Sequence, residues 1–219
     1  MPTEIKSALL DLIATHSFKL GDFLLASGAR SDYYIDCRIT TLHAEGGRLS
    51  GLVLYELIRE FIPHAEAVGG LTMGADPLVS NIASASAWAA ADYREILEMS
   101  AVLEMEEEDD PGPEPPLIHG FLVRKAEKAH GTGRRIEGFL RPGAKVVIVD
   151  DVCTTGGSTI TAIEAAREAG MVVAGVLCLV DREQGGRERI EAAADAAPFV
   201  AAFTAGDVRK AHLALGKSI

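Results

Sequence analysis

The sequence predicts an α/β domain: an open, mainly parallel sheet flanked by helices, with a small N-terminal hood. Three observations predict it. Apolar runs at residues 146–149 and 171–180 alternate with intervals whose apolar residues recur at helical spacing, the pattern of βα units. Residues 68–70 and 146–151 each end an apolar run in glycines or carboxylates, so polar chemistry collects at strand carboxyl ends, where open parallel sheets bind ligands. An early hairpin pattern with paired aromatics, Tyr33-Tyr34, precedes the first βα unit and supplies the hood.

Taken in order, residues 4–15 read as a helix with Ile5, Leu9, Leu12 and Ile13 on one face. Residues 23–25 and 32–36 flank a Ser-Gly turn as two short strands. Residues 43–61 read as a helix despite Gly46, Gly47 and Gly51, because Leu49, Leu52, Val53 and Leu57 recur at helical spacing. A strand and glycine turn at 68–70 lead to a helix over 77–90, with Asp76 placed to cap it. Residues 93–105 are expected as strand, turn and strand, and 106–116 as an exposed acidic, proline-rich loop. Strands follow at 117–123, 146–149, 171–180 and 199–203. Helices follow Gly157, cover 187–197, and begin again at Asp207. The whole reads as a single domain over 1–219, with 1–40 contributing the hood and 93–116 an insertion.

Composition sets outer limits. At 219 residues and 48% hydrophobic, the chain can bury a substantial core. A formal charge of -11 argues against general binding to nucleic acid or an anionic membrane. No secretory or membrane-spanning segment is evident, so a cytoplasmic location is expected. Cys37, Cys153 and Cys178 are too few and too irregular for a disulfide framework or a metal signature.

The run Asp150-Asp151-Val152-Cys153-Thr154-Thr155-Gly156-Gly157-Ser158 carries most of the chemistry. Hydroxyls and glycines let successive amides converge on a phosphate, and the first turn of the following helix points its orphan amides at the same anion. One turn away, Asp150 and Asp151 suit vicinal ribose hydroxyls or the water shell of a magnesium ion. The glycines do not fall as GxGxxG, and no lysine precedes Ser158 as in a Walker loop. Basic charge is concentrated elsewhere, in Arg124, Lys125, Lys128, His130, Arg134 and Arg135. Gly131 and Gly133 disfavour a continuous helix there, so the segment reads as a flap able to close on a highly charged anion.

The phosphate loop closely resembles the phosphoribosyl-diphosphate signature of the type I phosphoribosyltransferases. Arg124-Lys125-x-x-Lys128-x-His130-Gly131 looks like the catalytic loop of the orotate phosphoribosyltransferases, a likeness extended by residues 21–28, 31–36 and 69–77 and by Asp181-Arg182. The resemblance implies the type I phosphoribosyltransferase fold. It implies transfer of a phosphoribosyl group from 5-phospho-alpha-D-ribose 1-diphosphate to orotate, with magnesium held through substrate and water rather than by the protein directly. Residues 150–158 would bind the phosphoribosyl diphosphate. Thr154, Arg182 and the backbone at Tyr34 and Ile35 would bind orotate, and Lys128, His130, Arg124 and Lys125 would serve catalysis. A homodimer sharing the flap between subunits is implied as well.

Two positions depart from the family pattern. Ala26 and Met73 stand where some bacterial relatives carry lysine, so diphosphate binding at residues 70–76 would rest on backbone amides. Transfer to another pyrimidine or a purine, and a non-catalytic phosphoribosyl-diphosphate sensor, are the competing readings. The intact basic flap argues against the sensor. Arg182 with the paired-aromatic hairpin argues against purines.

Overall fold

The computed structural model describes residues 3–24, 30–102, 112–125, 135–195 and 197–216. Helix α1 (Thr3–Leu12) runs into a π-helical turn (Ile13–Ser17), then into strands β1 (Phe18–Leu24) and β2 (Arg30–Ile35), which pair antiparallel as the hood. A short helix α2 (Arg38–Thr41) and a long α3 (Ala44–Phe61) precede β3 (Ala67–Leu71) and α4 (Ala75–Val102). Strands β4 (His119–Val123), β5 (Ile136–Gly138) and β6 (Lys145–Cys153) follow, then α5 (Gly157–Glu168), β7 (Val172–Asp181), α6 (Gly186–Ala193), β8 (Phe199–Thr204) and α7 (Ala205–Ala214).

The main sheet has the order β5-β4-β3-β6-β7-β8 and is parallel except for the edge strand β5. Chain direction across it reverses between β3 and β6: β4 and β5 are laid down on one side, β7 and β8 on the other. That switch opens a crevice at the carboxyl ends of β3 and β6. Two apolar layers cover the faces. Leu9, Leu54, Leu78, Ile82, Val147 and Leu177 belong to one, and Phe121, Ile148, Ile163, Val176 and Ile190 to the other. Among the described residues no helix is long and apolar enough to cross a membrane.

Four expectations need correction. Residues 93–102 are not strand and turn but the continuation of α4, which is 28 residues long. Ala, Arg, Glu, Leu and Met there are strong helix formers, and neither glycine nor proline interrupts them. The returning segment is tied down onto this helix and α3: Tyr93 Oη donates to the Gly112 carbonyl at 2.6 Å, Arg94 pairs with Glu114 at 2.7 Å, and Tyr55 Oη donates to the Pro116 carbonyl at 3.0 Å. Strand β6 runs past 149 to Cys153, so the Asp pair lies within it. Helix α4 begins at Ala75, which puts Asp76 in its first turn rather than at its cap, with Oδ1 buried and unpartnered. Helix α7 begins two residues before Asp207: Thr204 caps it and Asp207 closes a reciprocal capping box.

Helices α3 and α4 pack with little clearance at Gly51. A Cβ there would meet the Asn81 carbonyl oxygen at 2.4 Å and its carbon at 2.8 Å, both backbone atoms that cannot swing aside. Gly51→Ala should therefore destabilise the chain by about 1 to 3 kcal/mol, read as a lowered midpoint in thermal or urea unfolding. An unchanged midpoint would show that the two helices separate freely.

Candidate active site

Strand β6 is the middle member of a parallel triplet, with Asp150 level with Cys178 on β7. Adjacent strand residues point to opposite faces. Asp150 is buried and accepts from the Thr159 hydroxyl on α5 at 2.9 Å and from the Asp151 amide at 3.1 Å. Asp151 accepts from the Val152 amide at 3.0 Å. Both carboxylates crowd Gly74, where a Cβ would meet Asp151 Oδ1 at 2.4 Å and Asp150 Oδ1 at 3.5 Å. The turn after β3 is thereby held against the acidic pair, and the Thr72 amide bonds the Val123 carbonyl at 2.9 Å to anchor its other side. Its Thr72-Met73 peptide is cis.

Burial, then the charge of Asp151, pushes the Asp150 carboxyl up to about 7, while Thr159 pulls the other way. Burial also raises Asp151 above the ordinary carboxylate range. Two carboxylates in so dry a place are electrostatically expensive, and donors arriving with a ligand would relieve them.

The loop after β6 is shaped for an anion. Gly156 adopts the left-handed region at φ 78°, where a side chain would also strike Ile190, and it precedes α5 without a side chain to cap it. The first-turn amides thus stay available to a ligand. The backbone is pinned from behind: Arg182 N donates to the Cys153 carbonyl at 2.8 Å, and Arg189 donates to the Thr155 carbonyl at 2.8 Å. Ser158 and Gly157 are exposed, Thr155 is exposed, Thr154 is half-buried, and Cys153 is fully enclosed, its thiol against Gly186. Its amide donates to Cys178 Sγ at 3.2 Å and its carbonyl accepts from Arg182 N, so Cys153 shapes the loop and leaves neither thiol nor backbone for a ligand.

A cavity of about 450 Å³ joins these parts. Tyr34, Ile35, Thr72, Met73, Gly74, Lys125, Asp150, Asp151, Val152 and Ser158 line it, together with Asp36 and Arg38, a pair that sequence reasoning missed. Arg38 grips Asp36 through Nε and Nη2, both at 2.8 Å, and this contact lowers the Asp36 carboxyl below its ordinary range. The available signal was an Asp-x-Arg step directly after a strand. Arg124 does not reach the cavity; it turns to Glu137 on β5 at 3.4 Å. Lys128 and His130 lie outside the described residues.

Arg182 stands behind the hood, buried, with its guanidinium 4.8 Å from the centre of the Tyr33 ring. Its Nε and Nη2 donate to the Tyr33 and Ser31 hydroxyls at 3.4 Å. Among the described residues no carboxylate pairs with it. A buried guanidinium contacted by two hydroxyls and a ring suits an anionic, planar ligand. Ser31 and Tyr33 stand in the paired-aromatic hairpin that the sequence flagged, without a role of their own there; the alternation along β2, which sets them opposite Asp32 and Tyr34, was the signal for one.

A model of the phosphoribosyl transferase domain family matches residues 122–197. An orotate phosphoribosyltransferase from Synechocystis sp. is 40% identical over 210 residues, covering 95% of this chain and 91% of that protein. One from Aquifex aeolicus is 42% identical over 189 residues, covering 85% and 88%. The solved orotate phosphoribosyltransferase of Mycobacterium tuberculosis in complex with 5-phospho-alpha-D-ribosyl 1-diphosphate superposes with a TM-score of 0.67 at 30% identity, covering 94% of this chain and 99% of that one.

An acid whose folded-state pKa is raised holds its extra proton in the folded state, so stability falls as pH climbs from the ordinary carboxylate range to about 7 and levels off above it. Asp150→Asn cannot ionise. Comparing urea unfolding at pH 4.5 and pH 8, the variant should gain on the wild type by at least about 1 kcal/mol at the higher pH. An equal difference at both pH values would show that Asp150 ionises without penalty.

Proposed function

We propose how this site works from the premise that the chain belongs to the orotate phosphoribosyltransferase family. Its reaction moves the 5-phosphoribosyl group of 5-phospho-alpha-D-ribose 1-diphosphate onto orotate, giving orotidine 5-phosphate and diphosphate on the route to UMP. The observation that best supports the assignment of roles is the Asp150-Asp151 pair, one buried and one half-buried, at the mouth of a crevice whose next loop leaves its amides uncapped. Such a pair needs donors, and the loop needs an anion; a ribose carrying a phosphate supplies both.

Asp150 and Asp151 accept from the ribose hydroxyls, and the amides and hydroxyls of residues 154–158 hold the 5-phosphate, since the Val152 and Cys153 amides are spent on Asp151 and Cys178. Arg182 pairs with the orotate carboxylate, while Thr154 and the backbone at Tyr34 and Ile35 orient the ring. As the C1 bond to diphosphate breaks, positive character grows on the sugar and negative charge on the leaving group. Arg124, Lys125, Lys128 and His130 neutralise that charge as the flap closes, and Lys128 carries the largest share. The cavity's described donors are hydroxyl, carbonyl and carboxylate oxygens, which fits a hard ion such as magnesium entering on the diphosphate and held by substrate and water. When bound, that ion supplies further neutralisation of the leaving group. The active unit is a homodimer in which each flap serves the neighbouring site, and the enzyme works in the cytoplasm.

Loss of orotate absorbance in the presence of phosphoribosyl diphosphate and magnesium tests this reading. Wild type should consume orotate and leave uracil and hypoxanthine untouched, and Lys128→Ala should slow turnover by roughly 10² or more. Mixing Lys128→Ala subunits with Asp151→Asn subunits should restore part of the activity if flaps cross between subunits. Turnover of another base, with none of orotate, would overturn the acceptor assignment.

A further inference from the structure

The cavity holds one charged pair that the roles above leave unused. Asp36 and Arg38 lie just past the end of β2, and both line the cavity together with the Thr72–Gly74 turn. Among the described lining residues, the carboxylates are Asp36, Asp150 and Asp151, and the cations are Arg38 and Lys125. An anion bearing several phosphate charges must enter this surrounding. Met73, 68% exposed, brings an uncharged side chain to the turn, so the turn contributes no cation of its own.

Arg38 is built to meet such an anion. Its side chain is 47% exposed, while that of Asp36 is 19% exposed, so the carboxylate anchors and the guanidinium faces outward. Asp36 takes Nε and Nη2 side-on and also accepts from the Arg38 amide at 3.1 Å, which fixes the approach of the side chain. No hydrogen bond among the described residues uses Nη1. A guanidinium gripped on one edge keeps its other N–H groups for a second anion, and the planar fork matches phosphate oxygens.

We propose that Arg38 is a diphosphate-binding residue of this site, oriented by Asp36 and donating through its free edge to the leaving group of phosphoribosyl diphosphate. The proposal rests on the phosphoribosyl-transfer reading of the cavity. It assigns Asp36 a positioning role: the carboxylate aims the guanidinium and touches no substrate.

A purely structural ion pair and a ligand-directed one respond differently to losing either member. Arg38→Ala should raise the KM for phosphoribosyl diphosphate on the order of tenfold or more, with the KM for orotate moving less than about twofold. Asp36→Asn keeps the cation but loosens its aim, and should raise the KM for phosphoribosyl diphosphate by a smaller factor, about threefold, with the KM for orotate unchanged. Placing a lysine elsewhere in the cavity, in Arg38→Ala/Met73→Lys, should recover much of the lost affinity, which no structural role would explain. Melting temperatures of all variants separate misfolding from binding loss. Calorimetric titration with inorganic diphosphate and magnesium reads the same prediction independently of the acceptor base, so failure of orotate turnover in the wild type would strike the functional reading and not this one. Diphosphate affinity unchanged in Arg38→Ala would overturn the proposal. So would equal losses in Asp36→Asn and Arg38→Ala, or a rise confined to the KM for orotate.

Discussion

Asp150 occupies a place where a carboxylate is hard to keep charged, and much of the surrounding architecture follows from keeping it there. The residue lies in the continuous middle strand of a sheet covered on both faces, next to a second carboxylate and shielded from water. Among the described residues, Thr159 and one backbone amide offer it hydrogen bonds. Neighbouring positions must stay small for the site to close. Gly74 admits Asp151 beneath the β3 turn, Gly70 lets the Val149 carbonyl approach within 2.2 Å of where a Cβ would stand, and Gly186 makes room for the Cys153 thiol and the Thr154 carbonyl. Each missing side chain brings a strand end or loop closer to the acidic pair.

The topology explains why this strand end is the one that binds. Because the chain switches direction between β3 and β6, the turn after β3 and the loop after β6 meet at one cavity. The hood then closes the third side. It is held to the body by the Arg209-Asp32 ion pair at 2.7 Å and by Tyr33 stacked on Phe18, which in turn packs on His212 of α7. Basic side chains meet the crevice from separate elements, Arg38 from α2 and Lys125 after β4, while Arg182 after β7 lies against Tyr33 of the hood. Charge in an acidic chain is thereby focused where a multiply charged substrate is handled.

What could be read in the sequence depended on how local the cause was. The Asp-Asp pair and the Thr-Thr-Gly-Gly-Ser loop were legible because strand, turn and helix signals there follow one another without a break. The long α4 was misread past Tyr93, since Ile96, Leu97 and Met99 suit a strand as well as a helix and only the lack of a breaker favoured the helix. Strand β5 has three residues and exists by antiparallel pairing with β4, so no propensity within it announces a strand. Asp36 closes the family-like segment 31–36 and Arg38 lies just beyond it, but neither carries a site role in the sequence; they enter the site because β2 delivers them to the cavity, a consequence of tertiary placement. Ser31 and Tyr33 likewise gain meaning only when Arg182, some 150 positions later in the chain, folds beneath them.

The free protein holds its acidic pair under electrostatic tension, which the proposed ribose contacts would relieve. Carbon-13 NMR of labelled aspartate carboxyls reads it directly, by following Asp150 through a pH titration with and without phosphoribosyl diphosphate, the Asp150→Asn spectrum giving the assignment. The account predicts a midpoint well above the ordinary carboxylate range in the free protein, falling when the ligand binds. A midpoint in the ordinary range, unmoved by the ligand, would contradict it.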